Sequence, residues 1–186
     1  ETVINVSNTP LYDHPEFYNS IKQNEITLVL DGVDKLPKSI QKNKSIRHLR
    51  FVNSNIQDSI LENYPHIRSI DVQSENQKLN KIVYAFPKLR KFGYQGGESF
   101  DLNLEPLKKL RVLSLKGMQV NLEHLLNQGV KLHTIRLKEA GLKEIPRQLA
   151  NLKKLQILDV SENELASYII KPKEFENLKQ LDIRGS

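Results

Sequence analysis

The chain has 186 residues, 38% of them hydrophobic, so it can bury a useful core, yet no apolar run reaches the ~20 residues that a membrane-spanning helix needs. It contains no cysteine, which removes disulfide caps, thiol nucleophiles and cysteine metal sites, and with them one class of enzyme. The 28 basic and 22 acidic residues leave a formal charge of +6, an electrostatic bias toward anionic partners.

The predicted elements recur. Eight strand signatures, strong or weak, of the form apolar-x-x-apolar-x-apolar begin at positions 25, 46, 67, 89, 110, 132, 155 and 178, spaced 21 to 23 residues apart. Such a period marks stacked units that share one continuous core. Residues 1–24 predict a divergent first unit, with Ile4, Val6, Thr9 and Leu11 standing where Leu28, Leu30, Val33 and Lys35 stand in the next. No signal peptide is visible, and a mature or trimmed chain would look the same.

Along the chain, Leu36-Pro37-Lys38-Ser39-Ile40 predicts a short turn opened by proline. Residues 58–65 predict a capped helical turn stopped by Pro65. The run Phe92-Gly93-Tyr94-Gln95-Gly96-Gly97 forms the weakest unit and predicts a bulged or mobile loop, because two turn positions carry no side chain. Residues 121–126 predict a helix ending before Gly129, and residues 145–152 another opened by Pro146. Between Leu165 and Phe175 the pattern is irregular, and Tyr168, Ile169 and Ile170 are expected to complete the core. Leu181 and Ile183 would enter a last strand with an uncovered edge, which predicts either a cut from a longer array or a homodimer through that C-terminal edge.

The best copy, Leu155, Leu158, Val160, Asn163 and Leu165, resembles the consensus L-x-x-L-x-L-x-x-N-x-L of the leucine-rich repeat family. Residues 145–152 resemble the I/L-P-x-x-L segment of its 23-residue class. The resemblance covers nearly the whole chain. It implies an α/β repeat: a curved right-handed solenoid with a parallel β-sheet on its concave face and short helices, 3-10 turns or loops on its convex face. It also implies a single domain over residues 1–186, divided into a divergent repeat (1–24), seven repeats (25–177) and a partial repeat (178–186). The chain departs from the family at the consensus asparagine, where Thr9, Val33, Ser54, Glu75, Gly97, Met118 and Ala140 precede Asn163. Most turns must therefore satisfy their backbone groups in another way. The lysine- and asparagine-rich, cysteine-free pattern is similar to that of secreted and lipid-anchored bacterial repeat proteins, which suggests the cell envelope or the exterior as its location.

Function in such folds usually sits on the concave sheet. The outward position between the second and third apolar residues of each strand reads Asn5, Val29, Arg50, Asp71, Gly93, Ser114, Arg136, Asp159 and Asp182. Neighbouring strands lie ~4.8 Å apart. Arg50 with Asp71 and Arg136 with Asp159 are thus expected lateral ion pairs, each worth ~0–1 kcal/mol at an exposed surface. The flanking columns add Lys91, Lys116 and Lys138, which with Arg136 predict a basic patch suited to an acidic protein surface. The candidate partner-binding residues are Arg50, Asp71, Lys91, Lys116, Arg136, Lys138 and Asp159. The plainer alternative is a solvated ladder of ordinary charged residues.

Other classes fare less well. The outward columns offer no aromatic residue for base stacking, and acids are interspersed, which argues against nucleic acid. His14, His48, His66, His124 and His133 form no H-x-x-x-H or H-E-x-x-H arrangement, and no phosphate-binding loop or nucleophile elbow is present. The expectation is a non-catalytic protein-binding module without cofactor or metal. The alternatives are a recognition segment of a larger receptor, effector or enzyme, and a structural or adhesive surface protein that assembles through its ends.

Overall fold

The computed structural model describes residues 2–7, 14, 22, 25–55, 62–73, 84–96, 103–119, 121–126, 130–166 and 174–185. Nine strands form one sheet: β1 (Thr2–Ser7), β2 (Ile26–Asp31), β3 (Ile46–Val52), β4 (Ser69–Gln73), β5 (Lys91–Gln95), β6 (Val112–Lys116), β7 (Thr134–Lys138), β8 (Ile157–Asp159) and β9 (Gln180–Asp182). They lie in chain order and every neighbouring pair is parallel. Each parallel pairing needs a crossover, and repeating it about every 22 residues winds the chain into a β-solenoid with little helix.

The strands form where apolar residues alternate with polar ones. In β6, Leu113 and Leu115 are completely buried while Ser114 between them is half-buried. Three inward positions per turn, such as Leu110, Leu113 and Leu115 or Leu132, Ile135 and Leu137, stack on their counterparts in adjacent turns to make one core. The signature at Glu25 needs a correction of one residue. Glu25 is exposed, Ile26 is buried and pairs with Ile46, and the register shifts there so that Thr27 faces His48. A charged residue cannot fill the inward site when isoleucine is next to it, and β3 absorbs Arg47 as the extra residue.

Tight turns lead into the strands. The N–H of Ile67 donates to the Tyr64 carbonyl, that of Leu89 to Phe86 and that of Leu110 to Leu107, at 3.1 to 3.3 Å. In each case the turn is closed between two core residues. Tyr64 and Phe86 stack on each other with ring centroids 5.2 Å apart.

Away from the sheet the elements are short. Helix α1 (Leu122–Leu126) starts at Asn121, whose Oδ1 accepts from the His124 N–H at 3.1 Å, as the cap predicted. The proline-opened segments differ from a regular helix. Residues Lys38–Gln41 and Arg147–Asn151 are 3-10 turns, each held by a bond across three residues, from Ile40 to Pro37 and from Leu149 to Pro146. Leu149 is completely buried, and a tight single turn is enough to deliver it to the core and bring the chain back to the next strand. The expected helical turn over residues 58–65 lies mostly outside the described residues, as do Tyr168, Ile169 and Ile170. No described helix is long and apolar enough to cross a membrane.

A regularity follows each strand. The second residue past the third inward position has a left-handed backbone in Gly32, Asn53, Gly117, Glu139, Glu162 and Gly185, with φ between 46° and 71°. The next residue turns inward: Val33, Ser54, Met118, Ala140 and Asn163 are all buried. Asn163 accepts from the N–H groups of Ala140 (2.9 Å) and Leu142 (3.2 Å) and donates to the carbonyls of Leu137, Val160 and Ser161. Ser54 makes a smaller version of this clasp, accepting from the Val33 N–H and donating toward the Leu30 and Val52 carbonyls.

Candidate functional site

The register aligns the outward side chains into columns. Arg50, Asp71, Gly93, Ser114, Arg136 and Asp159 are successive partners across β3 to β8, as the sequence period predicts. Gln95, Lys116 and Lys138 align beside them, and so do Ser69, Lys91 and Val112. Five of the seven predicted residues, Asp71, Lys91, Lys116, Arg136 and Lys138, surround one depression of about 360 Å³ on this face. Its floor opens at Gly93, where a Cβ would come within 3.0 Å of Asp71 Oδ1.

The cations in the depression are not equally available. Lys116 Nζ lies 3.3 Å from Glu139, and Lys138 Nζ lies 3.9 Å from Asp159 and 3.7 Å from Glu162. The hydrogen bond from Lys116 holds the Glu139 carboxyl below its ordinary pKa, reinforced by Glu162 and by the charges of Lys116 and Lys138. Lys91 and Arg136 form no ion pair among the described residues. They are the cations of this patch most open to an incoming anion.

The two expected lateral pairs behave differently. Arg50 and Asp71 meet at 3.8 Å, both nearly half-exposed, a contact worth ~0–1 kcal/mol. Arg136 and Asp159 do not pair. Asp159 turns back to Ser161, accepting from its N–H at 3.0 Å and its hydroxyl at 2.6 Å, and is largely buried with Lys138 above it. A short local bond to a residue two positions on outcompetes a long, half-buried arginine one strand away. At the last outward position, hydrogen bonds from Arg184 hold the Asp182 carboxyl down at about 2.

No protein-family model matches the chain, and no curated protein matches it.

A second depression, of about 460 Å³, lies toward the strand starts. Arg50, Asp71 and Lys91 reach it, together with His48, whose Nε2 is 2.8 Å from Glu25 Oε1. Its remaining charged lining is Arg68 and Arg90, which belong to a column that the outward positions overlook. The residue just after the first inward position is Arg47, Arg68, Arg90 and Arg111 in four successive turns, followed by His133, Gln156 and Lys179. Backbone bonds make these residues consecutive rungs: Arg68 N–H to Arg47 O and Arg90 N–H to Arg68 O at 2.7 Å, then Arg111 N–H to Arg90 O at 2.9 Å. The signal was present in the repeat alignment, at a position that the core-versus-solvent alternation does not single out. Among the described residues no three His, Asp or Glu side chains converge as a metal site.

Proposed function

We propose that the chain is a leucine-rich repeat module that binds an acidic surface of a protein partner on the concave face of its sheet and catalyses no reaction. In this reading residues 1–186 form one domain, with 1–24 as a divergent first repeat and 178–186 as a partial last one. The main support is the depression around Gly93, where Lys91 and Arg136 converge without a carboxylate partner among the described residues. A preformed surface with such cations favours encounter with an anionic patch and discriminates against like charge. Arginine is also a favoured anchor at the centre of interfaces. The Asn163 and Ser54 clasps support the family reading, since each spans the turn position where the family consensus carries asparagine.

The test is partner capture from native extract at physiological salt, comparing the parent with Arg136→Glu/Lys138→Glu. Capture of a protein by the parent and its loss in the variant is expected, with unchanged capture by Lys153→Glu away from the depression. Equal capture by the parent and the concave variant overturns the assignment of the face.

A further inference from the structure

We propose that the arginine column at the strand starts is a docking ladder for the acidic face of a partner α-helix lying across the strands. This rests on the protein-binding role proposed above but uses a different column of the sheet, so the two can fail separately.

Arg47, Arg68, Arg90 and Arg111 occupy equivalent places in consecutive turns and are joined rung to rung by the backbone. Among the described residues none of the four guanidinium groups has a carboxylate partner. Their charges act on each other: burial lowers the Arg68 pKa, and the positive charges of Arg47 and Arg90 lower it further. An ordinary soluble surface intersperses the two signs, whereas like charges on adjacent strands are destabilising. Four arginines in register, without a carboxylate partner among the described residues, favour an anion supplied from outside.

Two of the arginines are already held. Arg68 Nη1 donates to the Pro65 carbonyl at 2.7 Å, and Arg111 Nη1 to the Leu110 carbonyl at 2.7 Å. Each tether fixes a guanidinium while leaving other N–H groups available, which reduces the ordering cost of binding a carboxylate. The 460 Å³ depression beside Arg68, Arg90 and Lys91 gives an incoming side chain room. Its two acids are already engaged, Glu25 with His48 and Asp71 with Arg50.

Spacing selects the occupant. Rungs of the ladder are ~4.8 Å apart. A helix returns the same face about every 5.4 Å, so over three steps the mismatch is roughly 2 Å, within reach of an arginine side chain. An extended strand returns the same face only every ~6.7 Å, and over three steps its carboxylates drift by roughly 6 Å. Single-stranded nucleic acid draws affinity from successive aromatic platforms, and the only ring among the residues lining this depression is that of His48, whose Nε2 already meets Glu25. Carboxylates at i, i+4, i+7 and i+11 of a helix therefore fit the four arginines, each able to accept a bidentate bond.

The experiment is fluorescence anisotropy with a labelled, helix-stabilised peptide carrying glutamates at i, i+4, i+7 and i+11, beside an isomer of equal charge with its glutamates spread around the helix. The parent should bind the one-faced peptide about tenfold more tightly than the isomer. Arg68→Ala/Arg90→Ala should abolish that preference and Arg68→Lys/Arg90→Lys should restore it in part, because lysine keeps the charge without the fork. Arg136→Glu/Lys138→Glu should leave it unchanged. Circular dichroism on every variant separates loss of binding from loss of fold. Equal binding of both peptides, or displacement by a heparin oligosaccharide that itself binds more tightly, makes the edge a general polyanion surface and overturns the proposal. Loss of the preference in the Arg136/Lys138 variant alone also overturns it, and leaves the concave reading standing.

Discussion

At the scale of single residues, His66 shows how a repeat core handles a titratable group. It is buried, its Nε2 meets the Ile40 carbonyl at 2.8 Å, and its Nδ1 has no hydrogen-bond partner among the described residues. The Nε2 therefore carries the proton and donates, in the neutral tautomer. Burial is the main cause lowering its pKa, Lys44, Arg47 and Arg68 push the same way, and the Ile40 carbonyl works against them. With the folded pKa below the unfolded value of ~6.5, the unfolded chain binds more protons in acid. The stability this residue contributes is complete above the unfolded value and falls as pH drops through it toward the folded pKa. Urea titrations between pH 7.5 and 5.5 should show stability falling in the parent and a shallower slope in His66→Gln. Equal slopes would mean that the imidazole is not kept neutral by the fold.

At the scale of the element, the turn after each strand carries much of the architecture. Asn163 makes five bonds to backbone groups of two adjacent turns from a buried position, whereas Val33, Met118 and Ala140 occupy the same place with apolar side chains. Asn163→Ala leaves several buried backbone groups without partners and should cost roughly 2–4 kcal/mol. Ser54→Ala, which breaks a smaller clasp, should cost about 1–2 kcal/mol, both read from denaturant midpoints. A smaller loss at Asn163 than at Ser54 would reverse the assignment.

The same elements show what the sequence makes legible. Strand positions and columns were readable because core burial follows a period of two within the strand and about 22 between strands, and both are written in apolar residues. Whether Pro146 opens a helix or a 3-10 turn was not readable, because Leu149 is buried equally well by either. A bulged or mobile loop was expected where Gly96 and Gly97 leave two turn positions without a side chain; Gly97 lies outside the described residues, which leaves Gly96. Here the Tyr94 ring folds against it, so that a Cβ would sit 2.4 Å from the phenol oxygen, and Gly96 lacks the left-handed φ found at that position in six other turns. Repeat alignment does not encode this contact between Tyr94 and Gly96. The missing Arg136–Asp159 pair has a similar cause, since column neighbours are legible but the local competition from Ser161 is not.

At the scale of the whole molecule, the sheet carries two arrays of charge with different salt behaviour. Contacts such as Lys116 with Glu139 and Arg50 with Asp71 attract, and added salt weakens them. The arginine column repels itself across ~4.8 Å rungs, well inside a Debye length of ~8 Å at physiological ionic strength. Divalent oxyanions bridging neighbouring guanidinium groups should therefore stabilise the fold beyond simple screening, because anything that binds the native state alone raises its stability. Thermal unfolding in sodium sulfate and in sodium chloride at equal ionic strength separates the two effects. Sulfate strengthens burial in any protein by exclusion from its surface, so the informative quantity is the difference between the parent and Arg68→Gln/Arg90→Gln. The sulfate excess in Tm should be larger in the parent than in the double variant by a few degrees. An identical sulfate excess in both proteins would show that these arginines do not act together as an anion site, and the ladder would then be solvated surface whose regularity comes only from the repeat.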